Sequence, residues 1–350
     1  MPPPLRALVV GLGSIGRRHA RNWAALGLGP VSVCRQTRSP QPEPLGIGVQ
    51  EFTDLDKALD DRPDVVLVTN PTSLHVQTAC TAVQAGAHVF IEKPISHTLH
   101  GVADLLSEAK KRQRVLMVGY NLRFHPGLIR LNELFQQGAV GRPVSARAEA
   151  GEYLPDWHPW EDYRTSYSGR ADLGGGALLT FSHELDSLCW VLGEPSRVVA
   201  MADHASSLEI DTEDTAELVL QFPNGPLASI HVDYLRRPPR RSLEIIGEEG
   251  VLRWEYDDNR LLSYAAGTRQ WRVEEGDPRL RRNDMYLAEL QHFAACVRGE
   301  IERPLIDGTQ GAAVLAITLA ALKSSKEGRA IDLHAEGEPL NTWLSSLGRQ

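Results

Sequence analysis

What this chain has little of narrows its function first. Only 4 cysteines occur in 350 residues, and Cys34, Cys80, Cys189 and Cys296 are widely scattered. Neither a zinc-ligand cluster nor a redox pair has that spacing, so no metal is expected. The thiols read as buried groups of a reducing compartment, and the chain as cytoplasmic. No apolar run approaches the ~20 residues that span a bilayer. Met1-Pro2-Pro3-Pro4 leads straight into a strand pattern, with no basic-then-apolar leader. Positive charge is scarce as well. A net charge of -8 supplies no basic face for nucleic acid or for an anionic membrane, and neither is expected as a partner. Internal repeats and long low-complexity linkers are absent. Two hydrolytic patterns also fail. His183-Glu184 would need a second histidine where Ser187 stands to make a zinc-protease helix, and no serine-nucleophile elbow occurs anywhere.

The remaining composition, 42% hydrophobic and 23% charged, is that of a globular chain long enough for two domains or one large α/β domain. Residues 5–10 form a short apolar run that reads as a buried parallel strand. Gly11-Leu12-Gly13-Ser14-Ile15-Gly16 follows, and then a helix over about 14–26. A glycine pattern between strand and helix is the context that a dinucleotide site requires. Gly11 permits the tight turn, and Gly13 lets the backbone approach a pyrophosphate. Gly16 lets helix and strand pack closely, while Ser14 and Ile15 present free N–H groups at the helix start. The next strand, 31–34, ends at Arg35, where an NAD-preferring site commonly has an acid. Here Arg35-Gln36-Thr37-Arg38-Ser39 follows, with no carboxylate before Glu43. Arg35 and Arg38 suit a 2′-phosphate, so the cofactor reading leans to NADP over NAD. The alternative is that both arginines are exposed loop residues.

A helix at 54–59 and a strand at 64–69 come next, ending in Thr69 and Asn70. Thr72 is placed to cap a helix that carries His75 and runs to 85. His88-Val89-Phe90-Ile91-Glu92-Lys93-Pro94 is the most informative stretch. Its apolar run reads as a buried strand, and Pro94 restricts Lys93 to an extended backbone. Lysine therefore leaves the strand end in a defined direction. Helix 98–112 and strand 115–118 follow, ending at Gly119-Tyr120-Asn121. Strands alternating with helices at this spacing mean a right-handed, doubly wound parallel sheet, whose ligands bind beyond the carboxyl ends of the strands. Thr69, Asn70, His75, Glu92 and Lys93 are accordingly assigned to the cofactor. This first domain is expected to span 1–120, with a second over 121–350.

In the second part, a helix at 126–137 and a strand at 144–153 precede a polar-aromatic loop. There Trp157, His158, Trp160, Tyr163 and Tyr167 lie beside Asp156, Asp162 and Arg164. Aromatic faces with carboxylates suit a sugar, although the same loop could pack on the domain or on another subunit. Gly174-Gly175-Gly176 then opens a helix at 177–192. His183 follows that glycine turn, where backbones approach a ligand, but the leucines at 178, 179, 185 and 188 also suit a core histidine. Strands at 197–201, 216–222, 228–234, 242–246, 251–254 and 271–273 have no helices between them, which makes an antiparallel sheet open on one face. Helices at 284–298 and 309–326 finish the chain.

Together the glycine turn, Glu92-Lys93-Pro94, and the second glycine-rich turn with His183 and Asp186 resemble the Gfo/Idh/MocA family of NAD(P)-dependent sugar and cyclitol oxidoreductases. The resemblance covers essentially the whole chain. It implies an α/β architecture: an N-terminal Rossmann doubly wound parallel sheet, plus a C-terminal α/β domain with a large, mostly antiparallel open sheet. That open sheet commonly serves oligomerisation, which implies a homo-oligomer, dimer or tetramer. The resemblance makes Lys93 the lysine of the catalytic set and His183 its acid/base, facing each other across a cleft. Tyr120, Asn121, Trp157, His158, Asp162, Tyr163 and Asp186 become the substrate contacts. Residues 153–164 and 182–186 resemble a branch associated with surface-polysaccharide and nonulosonic-acid sugars. The family usually adds a carboxylate one helical turn before the histidine, where this chain has Leu179 and Thr180. Glu184, Asp186 and Asp162 are the candidate substitutes. The expected reaction is hydride transfer between a nicotinamide and a secondary alcohol carbon of a sugar, amino sugar or cyclitol. An NAD-retaining glycosidase and a non-catalytic sugar sensor are the other classes.

Overall fold

Short runs of Val, Leu and Ile that are buried on both faces read as strands of a covered parallel sheet. Four such runs dominate the first third of the chain: β1 (Ala7–Val10), β4 (Val65–Val68), β5 (His88–Glu92) and β6 (Leu116–Gly119). The computed structural model describes residues 3–35, 45–223 and 225–333. Around those strands it places α1 (Ser14–Ala25), β2 (Val31–Cys34), β3 (Gln50–Phe52), α2 (Leu55–Asp60), α3 (His75–Gln84) and α4 (Val102–Lys111). The six strands run parallel in the order β3-β2-β1-β4-β5-β6. In that order the crossovers reverse direction between β1 and β4, the point beside which such sheets bind dinucleotides.

Three local differences from the sequence pattern have physical causes. β3 was not expected, because this edge strand buries none of its three residues fully and carries no apolar run. Thr72 does not cap a helix. It opens a 3-10 turn after the extended Pro71, and α3 begins only at His75. Helix α4 starts at Val102 rather than 98, after Gly101 at φ 73°.

The second architecture follows in chain order: α5 (Pro126–Gln136), β7 (Pro143–Gly151), α6 (Ala177–Thr180), α7 (Ser182–Leu192), β8 (Arg197–Asp203), β9 (Thr215–Gln221), β10 (Leu227–Asp233), β11 (Arg240–Gly247), β12 (Gly250–Glu255), β13 (Arg260–Ala265) and β14 (Gln270–Glu275). Helices α8 (Arg282–Val297) and α9 (Gly308–Glu327) and strand β15 (Ile331–Asp332) complete it. Nine strands form one sheet in the order β14-β13-β12-β11-β7-β10-β9-β8-β15, parallel only where β7 meets β10. The helix expected over 177–192 is broken at Phe181, whose backbone (φ -92°, ψ 29°) leaves the helical region. Strands β8 and β9 alternate buried with exposed residues. α6 packs on β9 and β10, α7 on β7, and α9 reaches β8 through Ser324 and Ser325. The opposite side exposes Val199, Met201, Val219 and Leu227, with Val199 directly paired to Val219.

The chain divides into two compact units, one made of residues up to Asn121 together with Arg281–Ala312, the other of Leu122–Leu280 and the segment from Ala313 onward. The pattern reading had put everything after 120 in the second. Arg281–Ala312 groups with the first because its apolar side chains are used there. Phe293 packs edge-on against Phe90, Tyr286 does so against His19, and Gly308 and Gly311 lie against Leu116 and Val118. A helix period announces an apolar face but not the sheet that receives it.

Candidate active site

In the first unit, the glycine turn is fixed by lack of room. A Cβ on Gly16 would lie 2.0 Å from the Gly11 carbonyl oxygen and 2.6 Å from the Thr69 hydroxyl. Gly11 itself has φ 97°, and a Cβ there would meet the Asn70 backbone at 2.6 Å. The Thr69 hydroxyl lies 3.0 Å from the Val10 carbonyl and 2.8 Å from that of Gly11, a donor shared between two acceptors that clamps the turn. Gly13 is different, because a Cβ there meets nothing within 4 Å. Helix α1 therefore opens beside free space. Its N-cap Gly13 has no side-chain hydrogen bond to the helix, and its first turn has no acid. Uncapped N–H groups at Ser14, Ile15 and Gly16, next to an open approach, fit the pyrophosphate of a dinucleotide.

Other residues assigned to the cofactor make hydrogen bonds within the protein. His75 is buried and spans the Pro94 and Asn70 carbonyls, at 2.9 Å each, tying the loop after β4 to the turn after β5. Burial pushes its imidazole down from the ordinary value, against the pull of those two carbonyls. Asn70 donates to the Thr78 hydroxyl at 2.9 Å. Glu92 is 8% exposed and faces inward, with Oε1 2.6 Å from His19 Nε2 and Oε2 accepting the Lys93 N–H at 3.2 Å. Lys93 is half-buried at the end of β5, and Tyr120 and Asn121 are buried just after β6. Arg35 is bound through Nε to Glu51 on the neighbouring β3, at 2.5 Å. Arg38 lies outside the described residues.

In the second unit, Gly175 and Gly176 are required by close approach. A Cβ on Gly175 would sit 2.2 Å from the Tyr167 carbonyl, and one on Gly176, at φ 112°, would sit 2.5 Å from Glu213. His183 is the second residue of α7 and 8% exposed. Two ion pairs hold that helix. Asp186 is 0% exposed and accepts from Arg123 Nε at 3.0 Å and Nη2 at 2.7 Å. Glu184 accepts from Arg241 at 2.6 Å. Both oxygens of Asp186, expected at the substrate, are thus paired with Arg123 in the interior. Asp162 is exposed and bound to Arg164. All three acids considered as substitutes for the carboxylate before His183 are therefore engaged by arginines.

Sequence reasoning missed Glu213, which accepts the Leu178 N–H at 3.0 Å at the start of α6 and is pushed up by burial. It comes from a distant loop, so no local spacing announced it. Thr180, at one of the two positions where that carboxylate was sought, accepts the Tyr234 hydroxyl at 2.7 Å. The aromatic loop divides. Trp157 packs edge-on against Phe181, the residue before α7, and against Tyr234, at centroid distances of 5.7 and 5.5 Å. Its indole N–H has no partner among the described residues. His158 leans on the exposed Trp160 at 5.3 Å. Tyr163 and Asp162 lie on the outer side. The Tyr163 hydroxyl accepts the Glu209 N–H at 3.3 Å, and Arg164 bridges Asp162 to the Glu209 carboxylate. No group of three metal-ligating side chains occurs among the described residues, and none of their helices is long and apolar enough to cross a membrane.

Comparison with known proteins bears on the family and the fold. Residues 5–120 match the family described as "Oxidoreductase family, NAD-binding Rossmann fold", and residues 128–253 match the "GFO/IDH/MocA C-terminal domain". The chain is similar to the myo-inositol 2-dehydrogenase of Thermotoga maritima, at 30% identity over 94% of this chain and 98% of that protein. It is also similar to the 1,5-anhydro-D-fructose reductase of Ensifer adhaerens, at 28% identity over 82% and 85%. Among solved structures, levoglucosan dehydrogenase in complex with NADH and L-sorbose superposes with a TM-score of 0.84, at 21% identity over 95% of this chain and 99% of that one. This last likeness shows the fold.

The two glycines predict opposite failures. Gly16→Ala forces a methyl into a backbone oxygen and should destabilise the fold by at least the ~1–3 kcal/mol of an overpacked core. Gly13→Val should melt near wild type yet weaken NADH binding at least ~tenfold, by filling the anion approach. Thermal unfolding and NADH fluorescence titration measure both. Wild-type NADH affinity in Gly13→Val would place the pyrophosphate elsewhere.

Proposed function

Because the chain belongs to the Gfo/Idh/MocA family of oxidoreductases, we propose that it moves a hydride between a nicotinamide dinucleotide and a secondary alcohol carbon of a cyclitol, sugar or amino sugar. The observation that carries this reading is the uncapped α1 start beside Gly13, on the same sheet edge as Lys93. The relatives' names support a polyhydroxylated ring as substrate. When bound, the nicotinamide accepts or releases the hydride. The chain's own residues hold the substrate oxygen and its proton. His183 takes the hydroxyl proton in the oxidative direction, a task suited to imidazole near neutral pH. Lys93 hydrogen-bonds the same oxygen, and its charge stabilises the developing alkoxide. The free indole N–H of Trp157 is a donor for another substrate hydroxyl. The narrower assignment to surface-polysaccharide sugars rests on the likeness of residues 153–164 and 182–186 alone.

Cofactor choice turns on Arg35. Its guanidinium suits a 2′-phosphate, but Glu51 already neutralises it. NAD is therefore the base reading, and the NADP preference depends on breaking that pair. We assign self-association to the uncovered face of the nine-stranded sheet, where Val199, Met201, Val219 and Leu227 stand exposed. A cytoplasmic location is supported by four free cysteines. The sensor reading stays as the second one, favoured by the engagement of every acid proposed to support His183.

Single-turnover reduction of NAD+ across a panel of cyclitols and sugars tests the catalytic pair. Lys93→Met should slow hydride transfer ~10²–10³-fold, and His183→Asn roughly 10²–10⁴-fold, less so at high pH. The double variant should lose less than the product, because both groups serve one oxygen. Wild-type rates in either single variant remove that residue from the mechanism, and sugar binding without turnover in wild type establishes the sensor. For the cofactor, Glu51→Gln should raise NADP affinity relative to NAD and Arg35→Ala should lower it; an unchanged ratio in both excludes Arg35. For assembly, Met201→Arg with Val219→Asp should yield monomers by light scattering with the fold intact, and an unaltered oligomer would move the interface elsewhere.

A further inference from the structure

Glu289 on α8 is a buried carboxyl for which the reaction has no use. It is 0% exposed, and neither carboxyl oxygen has a hydrogen-bond partner among the described residues. Buried polar groups in folded proteins are nearly always paired. An ionised carboxylate left bare in such a place would cost more than protonation does, so the group is held neutral. One turn to either side of it on α8, Tyr286 and Phe293 pack edge-on against His19 of α1 and Phe90 of β5. The titratable or charged groups of these packed elements are His88 and Glu92 on β5, Arg17, Arg18, His19 and Arg21 on α1, and Arg282, Asp284, Tyr286, His292 and Cys296 on α8. Glu92 is the charge that bears on Glu289. Together with burial it pushes the Glu289 carboxyl well up.

Two carboxyls that interact in an apolar interior favour a single negative charge between them. Glu92 is hydrogen-bonded to His19 Nε2 at 2.6 Å and to the Lys93 N–H at 3.2 Å, whereas Glu289 has no hydrogen-bond partner among the described residues. Glu92's two hydrogen bonds also fix the turn from which Lys93 leaves β5. We propose that Glu289 is a positioning residue for Lys93, a neutral acid behind Glu92 whose proton keeps the Glu92–Lys93 turn in place. When that proton leaves, a second carboxylate repels Glu92, and the N–H bond holding Lys93 is strained. The proposal rests on the reading of Lys93 as a cofactor- and substrate-facing residue, so its test includes measurements that do not need a substrate.

Wild type and Glu289→Gln are compared in three ways. Infrared difference spectra at pH 7 should show the C=O stretch of a neutral carboxylic acid in wild type and not in Glu289→Gln. Melting temperatures should coincide near pH 4.5, the ordinary value of the group. Above it the unfolded chain releases this proton and the folded chain retains it, so wild type loses stability with rising pH. Glu289→Gln should therefore melt several degrees higher than wild type at pH 8. NADH affinity should fall at least ~tenfold in wild type as pH rises into the alkaline range, and Glu289→Gln should remove that fall. Absence of the carboxyl band, or equal melting at every pH, overturns the neutral acid. A band and melting difference with identical NADH pH profiles overturn the positioning role. If Glu289→Gln does not fold, Glu92→Gln serves instead. Removing the opposing charge should let Glu289 ionise at lower pH and abolish its infrared band sooner, and an unmoved band contradicts the coupling. A wild type that binds no NADH at any pH fails the reading of the cofactor edge, while the infrared and melting results still decide the state of Glu289.

Discussion

The contact between Gly16 and the Gly11 carbonyl is the constraint on which the first unit depends. With no Cβ between them, α1 lies directly against the turn that ends β1. Its position has two consequences at opposite ends of a short chain of contacts. The start of the helix is left uncapped beside open space at Gly13, which suits an anion. Further along, the same helix carries His19 onto Glu92, and Glu92 holds the backbone of Lys93. A glycine at position 16 thus bears both on the uncapped start of α1 and on the backbone of the lysine beyond β5.

The second unit achieves the same end with charge rather than with close packing. Arg123–Asp186 and Arg241–Glu184 pin α7, and His183 stands at its first turn. Replacing such interior pairs by apolar side chains is often neutral or stabilising, so their value is positional. They also account for an apparent surplus of acids around His183. Those carboxylates are committed to arginines, while Tyr234 joins the Thr180 hydroxyl to the aromatic edge of Trp157.

Much of this was legible in the residues, for identifiable reasons. The dinucleotide turn was readable because its glycines are local: strand, turn and helix adjoin in sequence, and each glycine has one physical purpose. The parallel sheet was readable because strands buried on both faces leave unbroken apolar runs. Side-chain partnerships were not. Nothing in the spacing of Asp186 tells that Arg123 will take both its oxygens, or that Glu92 turns inward to His19, since those contacts join residues 63 and 73 positions apart. The return of α8 to the first unit was hidden for a related reason. Its apolar stripe is the same whichever sheet it covers. The edge strands β3 and β15 were missed because edges need not be apolar.

That the chain transfers a hydride, rather than sensing a sugar, is the central claim. Isotope transfer tests it most directly. Cyclitols and sugars carrying deuterium on their alcohol carbons are incubated with the protein and NAD+, and the dinucleotide is recovered and weighed by mass spectrometry. The account predicts one deuterium on the nicotinamide ring for each oxidised substrate, with no dilution by solvent protons. Binding of both substrate and NAD+ with no deuterium on the nicotinamide would contradict it.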